Sequence, residues 1–116
     1  MLGWKKYRAE VKSRAAEMRG LVPDVMKGYA ALAGSGGSAK HLDAKTRELI
    51  SLAVAVTTRC DGCIASHVEA AVALGVTQEE LAEALGVAMA MNAGAALVYS
   101  TRALDCFAEM SSPASA

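Results

Sequence analysis

Apolar residues make up 53% of this chain but aromatic residues only 4%, and alanine alone fills 25 of its 116 positions. Side chains this small let helices approach closely, and Ala, Leu, Met, Glu and Lys are all strong helix formers. No run alternates β-branched with polar residues, so the pattern predicts an all-α fold. The length suits a single domain, 1–116. Within it, residues 1–40 read as an N-terminal helical arm and connector, 41–110 as the core, and 111–116 as a frayed tail.

Residues from about Gly3 to Arg19 form an amphipathic helix with Tyr7, Val11 and Met18 among its apolar positions, and Gly20 ends it. Pro23 suits the first turn of a second helix. Gly34-Ser35-Gly36-Gly37-Ser38 interrupts regular structure; it lacks the spacing of a phosphate loop and reads as a connector. Asp43 caps a third helix, from about Ala44 to Thr58, whose middle from Leu49 to Val56 is apolar nearly all round and therefore central. A fourth runs to Leu74 with Gly75 as its stop, and Thr77 and Glu80 supply a capping box for the next. Leu81–Met91 and Ala93–Met110, with a break at Asn92 and Gly94, complete a set of about six helices.

The fourth helix opens on Cys60-Asp61-Gly62-Cys63-Ile64-Ala65-Ser66-His67. On a continuous helix these two thiols and the imidazole fall within a wedge of roughly 60°. Cysteines three apart are able to close a disulfide with modest adjustment. A thiol at a helix start, where unpaired amides and the helix dipole favour negative charge, ionises readily. Cys63 lies one turn from His67 and Cys60 two, so Cys63 is the thiol able to share a proton with the imidazole. A redox dithiol is therefore the leading reading, ahead of metal ligation or plain burial. A structural zinc site wants four ligands, and one C-x-x-C with one histidine would have to recruit Glu48, His41 or another subunit. No cofactor is implied. His41 reads as an exposed loop residue, Glu48 as an ordinary glutamate near a helix start, and Tyr99 and Arg102 as core or surface ahead of a place facing a substrate cavity.

Charge and hydropathy narrow the partners. Twelve basic and twelve acidic residues cancel, with no basic stripe for nucleic acid or anionic lipid. The polar start and the absence of a secretory pattern make a cytoplasmic protein the expectation. The apolar stretch from Ala84 to Tyr99 is too short, too rich in Ala and Gly and too broken to span a bilayer, so it is expected to be buried in protein. A single small domain has little capacity to cover two such helices, which points to a homo-oligomer. Cys106, beside Leu104 and Phe107, is expected as inert core.

From about Leu42 to Phe107 the chain resembles the alkylhydroperoxidase AhpD and carboxymuconolactone decarboxylase superfamily. Leu42-Asp43-Ala44-Lys45-Thr46-Arg47-Glu48-Leu49-Ile50 is similar to the helix that carries that family's proton-relay glutamate, and Cys60-x-x-Cys63-x-x-x-His67 to its redox motif twelve residues later. Thr77-Gln78-Glu79-Glu80-Leu81 and Met91-Asn92-Ala93-Gly94 are similar to its following helices. The resemblance implies an AhpD-like helical fold and a thiol-dependent antioxidant enzyme, a peroxidase or disulfide reductase. Cys63 would be the reactive thiol, Cys60 its disulfide partner, and His67 and Glu48 the proton-transfer groups. The substrate would be a hydroperoxide or disulfide, re-reduced by a dithiol or protein electron donor, and the assembly a hexamer built as a trimer of dimers. One departure is that the fully characterised AhpD type has a histidine just before the second cysteine, where this chain has Gly62. The lactone decarboxylase branch needs no C-x-x-C, so an intact dithiol argues against that reaction. A non-catalytic redox sensor is the other rival.

Overall fold

The computed structural model describes residues 1–114, which form five α-helices and one 3₁₀ turn, with no strand among them. The helices are α1 (Trp4–Leu21), α2 (Pro23–Gly34), α3 (Ala44–Thr57), α4 (Asp61–Ala73) and α5 (Gln78–Ser111). The 3₁₀ turn, Ser35–Ser38, lies in the glycine-rich connector. Of the expected tail at 111–116, residues 115 and 116 lie outside the described residues.

Local chemistry sets most boundaries. Pro23 is the first residue of α2. The Asp43 carboxylate accepts the Thr46 amide at 2.8 Å and starts α3. Gly75 ends α4 in the left-handed conformation, φ 79°, that side chains disfavour. At the start of α5 the Thr77 hydroxyl accepts the Glu80 amide while the Glu80 carboxylate accepts the Thr77 amide. Gly20 does not end α1, which continues through Leu21, and a glycine within a helix costs only about 1 kcal/mol.

A larger correction concerns α5. It is one unbroken helix, so there are five helices and not six, with no break at Asn92 and Gly94. The Asn92 side-chain amide donates to the Ala88 carbonyl at 2.7 Å, one turn back, and so stays within the helical ladder. By length and composition alone α5 is a candidate membrane span. The stretch from Ala84 to Tyr99 is neither broken nor buried as expected: within the chain only Ala88 of it is buried.

In the centre, α3 packs against both α4 and α5, α1 also packs against α4, and α2 follows α1 across Val22 and is exposed almost throughout. The buried side chains are Leu52 and Ala55 of α3, Ala65 and Ala71 of α4, and Ala88 of α5. Alanine at four of these five places brings the helix backbones together, as the composition implied. Lys45 of α3 ties to Glu80 of α5 at 3.1 Å, and Arg8 and Lys12 of α1 reach Glu69 of α4 at 3.7 and 3.6 Å.

The chain does not close on itself. Its radius of gyration is 20.1 Å, against about 13 Å for a compact domain of this length. Its accessible surface is 9195 Å² at 11.9 kDa, roughly 3,000 Å² more than a compact monomer exposes. Every residue from Met89 to Ala114 is exposed. Cys106 is therefore not core: nothing in the chain covers it, Leu104 or Phe107. Central α3 also keeps Ile50 and Val54 about half exposed.

The caps that begin α3 and α5 each involve a titratable carboxyl, Asp43 itself at the first and Glu80 of the capping box at the second. Hydrogen bonding from Thr46, through its side chain and then its amide, holds the Asp43 carboxyl below its ordinary 3.8. The Thr77 amide and then Lys45 hold that of Glu80 below 4.5. A lowered folded pKa contributes stability that is complete above the ordinary value and is lost as pH falls through the folded one. Helicity is thus expected to weaken below about pH 4.5, and Asp43→Asn with Glu80→Gln, which keep acceptors but do not titrate, should flatten that acid limb in a circular dichroism titration.

Candidate active site

The turn between α3 and α4 delivers the dithiol. Arg59 sits there at φ 54°, a left-handed conformation that costs a non-glycine residue about 1 kcal/mol, and the Cys60 amide closes back on the Ala55 carbonyl at 3.1 Å. Cys60 is consequently not within the helix. It is the residue that caps α4, its backbone extended, its sulfur accepting the Cys63 amide at 3.1 Å. The shared helical face expected for all three groups holds only for Cys63 and His67, one turn apart in α4.

Cys60 and Cys63 are joined in a disulfide, with α-carbons 5.2 Å apart. Both are partly buried. Cys60 at the cap and Cys63 in the first turn of α4 both lie at the positive end of the helix dipole, a setting that favours a thiolate once the bond is reduced, and Cys63 alone has His67 one turn on. Cys106 has no such partner and stays a free thiol. Peptide mapping after mild oxidation should find the 60–63 bridge with Cys106 reduced; Cys106 in the dominant disulfide would contradict this arrangement.

Nineteen residues before His67 in the chain, α3 presents Glu48 to the same site. Its Oε2 lies 2.7 Å from His67 Nδ1, with the glutamate side chain 20% exposed and the histidine 38%. A carboxylate can only accept, so Nδ1–H donates, and a neutral His67 keeps its lone pair on Nε2. Glu48 thereby fixes the tautomer and the ring orientation. It is not the freely solvated glutamate that its place near a helix start suggests. Among the described residues no cluster of three His, Cys, Asp or Glu is arranged to hold a metal ion.

Tyr7 of α1 lies beside the dithiol turn. A β-carbon built on Gly62 would sit 3.9 Å from the Tyr7 hydroxyl and 3.9 Å from Val11 Cγ1, so α1 crosses the space that a longer side chain at 62 would enter. Trp4 meets the Tyr7 ring edge-on, with centroids 6.2 Å apart. In the sequence Tyr7 is one apolar helix position among several, and the glycine between the cysteines is the signal that a neighbour approaches there. His41 is exposed in its loop, and Tyr99 and Arg102 lie outside the site, the guanidinium stacked 4.9 Å above the ring.

Fold and site together define an all-helical protein with a C-x-x-C disulfide at a helix start, backed by a histidine–glutamate pair. The chain belongs to the carboxymuconolactone decarboxylase family, whose model matches residues 23–105. It is 48% identical over 104 residues to an uncharacterized protein of Haemophilus influenzae, covering 90% of this chain and 92% of that one. It is 32% identical over 85 residues to one of Cupriavidus necator, covering 73% and 75%. The solved apo structure of lpg0406, a carboxymuconolactone decarboxylase family protein from Legionella pneumophila, matches with a TM-score of 0.72 and 38% identity over 94% of this chain and 97% of that chain.

Proposed function

We propose that this chain is a thiol-dependent oxidoreductase of the alkylhydroperoxidase type, reducing hydroperoxides or partner disulfides in the cytoplasm as a homo-oligomer. The observation that carries the reading is the Cys60–Cys63 disulfide at the start of α4 with His67 one turn on, held by Glu48. The lactone decarboxylase branch does not need such a couple, so its presence here favours the redox reading.

The disulfide is the oxidised half of the cycle. Its reduction by an external dithiol yields Cys60 and Cys63 as thiols and one oxidised donor. His67, through Nε2, takes the proton of Cys63. The Cys63 thiolate attacks the terminal oxygen of the hydroperoxide, the O–O bond breaks, and the leaving alkoxide takes a proton to depart as alcohol. Cys63 is then a sulfenic acid; the Cys60 sulfur attacks the Cys63 sulfur, the S–O bond breaks, and the hydroxyl leaves with the Cys60 proton as water, restoring the disulfide. Two thiols and one hydroperoxide become one disulfide, one alcohol and one water. Glu48 stabilises the imidazolium that His67 becomes between steps.

Reactivity should divide accordingly. In the reduced protein Cys63 is expected to alkylate faster than Cys60 at neutral pH, and His67→Ala to slow that alkylation and lower turnover by about 10²-fold. Glu48→Gln should impair turnover more than alkylation. Stopped-flow alkylation with mass mapping checks both; equal thiol rates that ignore His67→Ala would make α4 merely structural.

The roughly 3,000 Å² of surplus surface supports the homo-oligomer. A standard interface takes about 800 Å² from each partner, so the surplus is enough for several, consistent with a trimer of dimers. Light scattering tests this, with a hexamer expected.

A further inference from the structure

Three helices bring polar side chains to the dithiol turn. His67 of α4 and Glu48 of α3 are engaged with each other. The third group is Tyr7 of α1, whose hydroxyl lies 3.9 Å from the place of a β-carbon on Gly62, the residue directly before Cys63. Tyr7 is partly buried and held from several sides. Its amide donates to the Gly3 carbonyl at 2.9 Å in the first turn of α1, Trp4 meets its ring edge-on, and Val11, one turn on, lies against the same glycine. Among the described residues its hydroxyl makes no hydrogen bond. An oriented O–H beside a dithiol, with nothing in the chain to donate to, is available to a guest.

We propose that Tyr7 is the acid of this site, its hydroxyl protonating the oxygen that departs when Cys63 attacks a hydroperoxide. The inference rests on the peroxidase reading and supplies the proton source which that cycle leaves open. His67 takes the proton of Cys63, and Glu48 stabilises it in that state. Arg59 and Asp61, the charged residues of the turn, are exposed; a guanidinium does not release its proton and a carboxylate has none to give. The Thr57 and Thr58 hydroxyls donate to the Val54 carbonyl. A phenol is also a stronger acid than an alkyl alcohol, so its proton passes downhill to an alkoxide, which no serine or threonine achieves. The Cys63 thiolate bonds to the terminal oxygen, the O–O bond breaks, and its electron pair goes to the inner oxygen, which leaves with the Tyr7 proton as alcohol. The sulfur is oxidised by two electrons and the peroxide reduced by two. The phenolate regains a proton from water, and His67 returns to water the one it took from Cys63.

Tyr7→Phe keeps the ring, its contact with Trp4 and the packing over Gly62, and removes only the hydroxyl. Fully reduced wild-type and variant proteins are each mixed with one equivalent of an alkyl hydroperoxide or, separately, of a peroxyacid, whose carboxylate departs without needing a proton. Formation of the Cys60–Cys63 disulfide is followed by quenching and mass mapping. Tyr7→Phe is expected to slow oxidation by the alkyl hydroperoxide by about 10²-fold, while oxidation by the peroxyacid and alkylation of Cys63 stay close to wild type. Val11→Ala, which loosens the same packing but keeps the hydroxyl, should leave the ratio of the two oxidation rates unchanged. Wild-type rates in Tyr7→Phe, or equal losses with both oxidants, would overturn the acid and leave the dithiol reading standing. Wild-type protein no faster with either oxidant than free cysteine would overturn both.

Discussion

Cys63→Ser is expected to abolish turnover of hydroperoxide, a loss of about 10³-fold or more to the background rate. The hydroxyl that replaces the sulfur is neither ionised near neutral pH nor able to form a sulfenic acid or a disulfide, so no step of the cycle survives. Cys60→Ser separates the two thiols. Cys63 keeps its place in α4 and His67 its hydrogen bond to Glu48, so the first oxidation should proceed once and stop at a Cys63 sulfenic acid, trapped by a dimedone-type reagent with one alcohol released per chain. Steady-state turnover should be lost in both variants, but the single burst only in Cys63→Ser. A burst in neither would remove Cys63 as nucleophile.

Leu97→Asp is expected to take the assembly apart. Leu97 is 71% exposed in the isolated chain, so a charge there does little to the fold of one protomer. Buried at a subunit contact without a partner, the same carboxylate costs several kcal/mol, of order 3 or more. That is a hundredfold or greater loss in the association constant. Light scattering and sedimentation should show smaller species that retain wild-type helicity. An unchanged assembly would mean that this face of α5 is not a contact.

Much of this protein is legible in its sequence because much of it is local. The caps at Asp43 and Thr77, the stop at Gly75 and the proline opening α2 act within one turn of the residues that signal them. The C-x-x-C-x-x-x-H spacing likewise singles out, before any fold is known, the cysteine pair and the histidine that meet at the start of α4. What the sequence did not reveal depends on neighbours that are distant or subtle. Asn92 looks like a helix breaker until its amide is seen bonded to the Ala88 carbonyl. Cys60 looks helical until the left-handed turn at Arg59 makes it a cap. Glu48 looks solvated because its partner, His67, is brought to it only when α4 packs on α3. Cys106 looks buried from its apolar neighbours only for a chain able to cover its own helices, which this one does not do.

The central claim, that Cys60 and Cys63 form a catalytic redox couple, is tested most directly by a stoichiometry. Fully reduced protein, free of excess reductant, is reacted with one equivalent of an organic hydroperoxide, and alcohol, disulfide and free thiol are counted together. The expected result is one alcohol and one Cys60–Cys63 disulfide per chain, Cys106 untouched, and repeated turnover when a dithiol is supplied. Disulfide formation no faster than in His67→Ala, or alcohol release that survives Cys63→Ser, would contradict it.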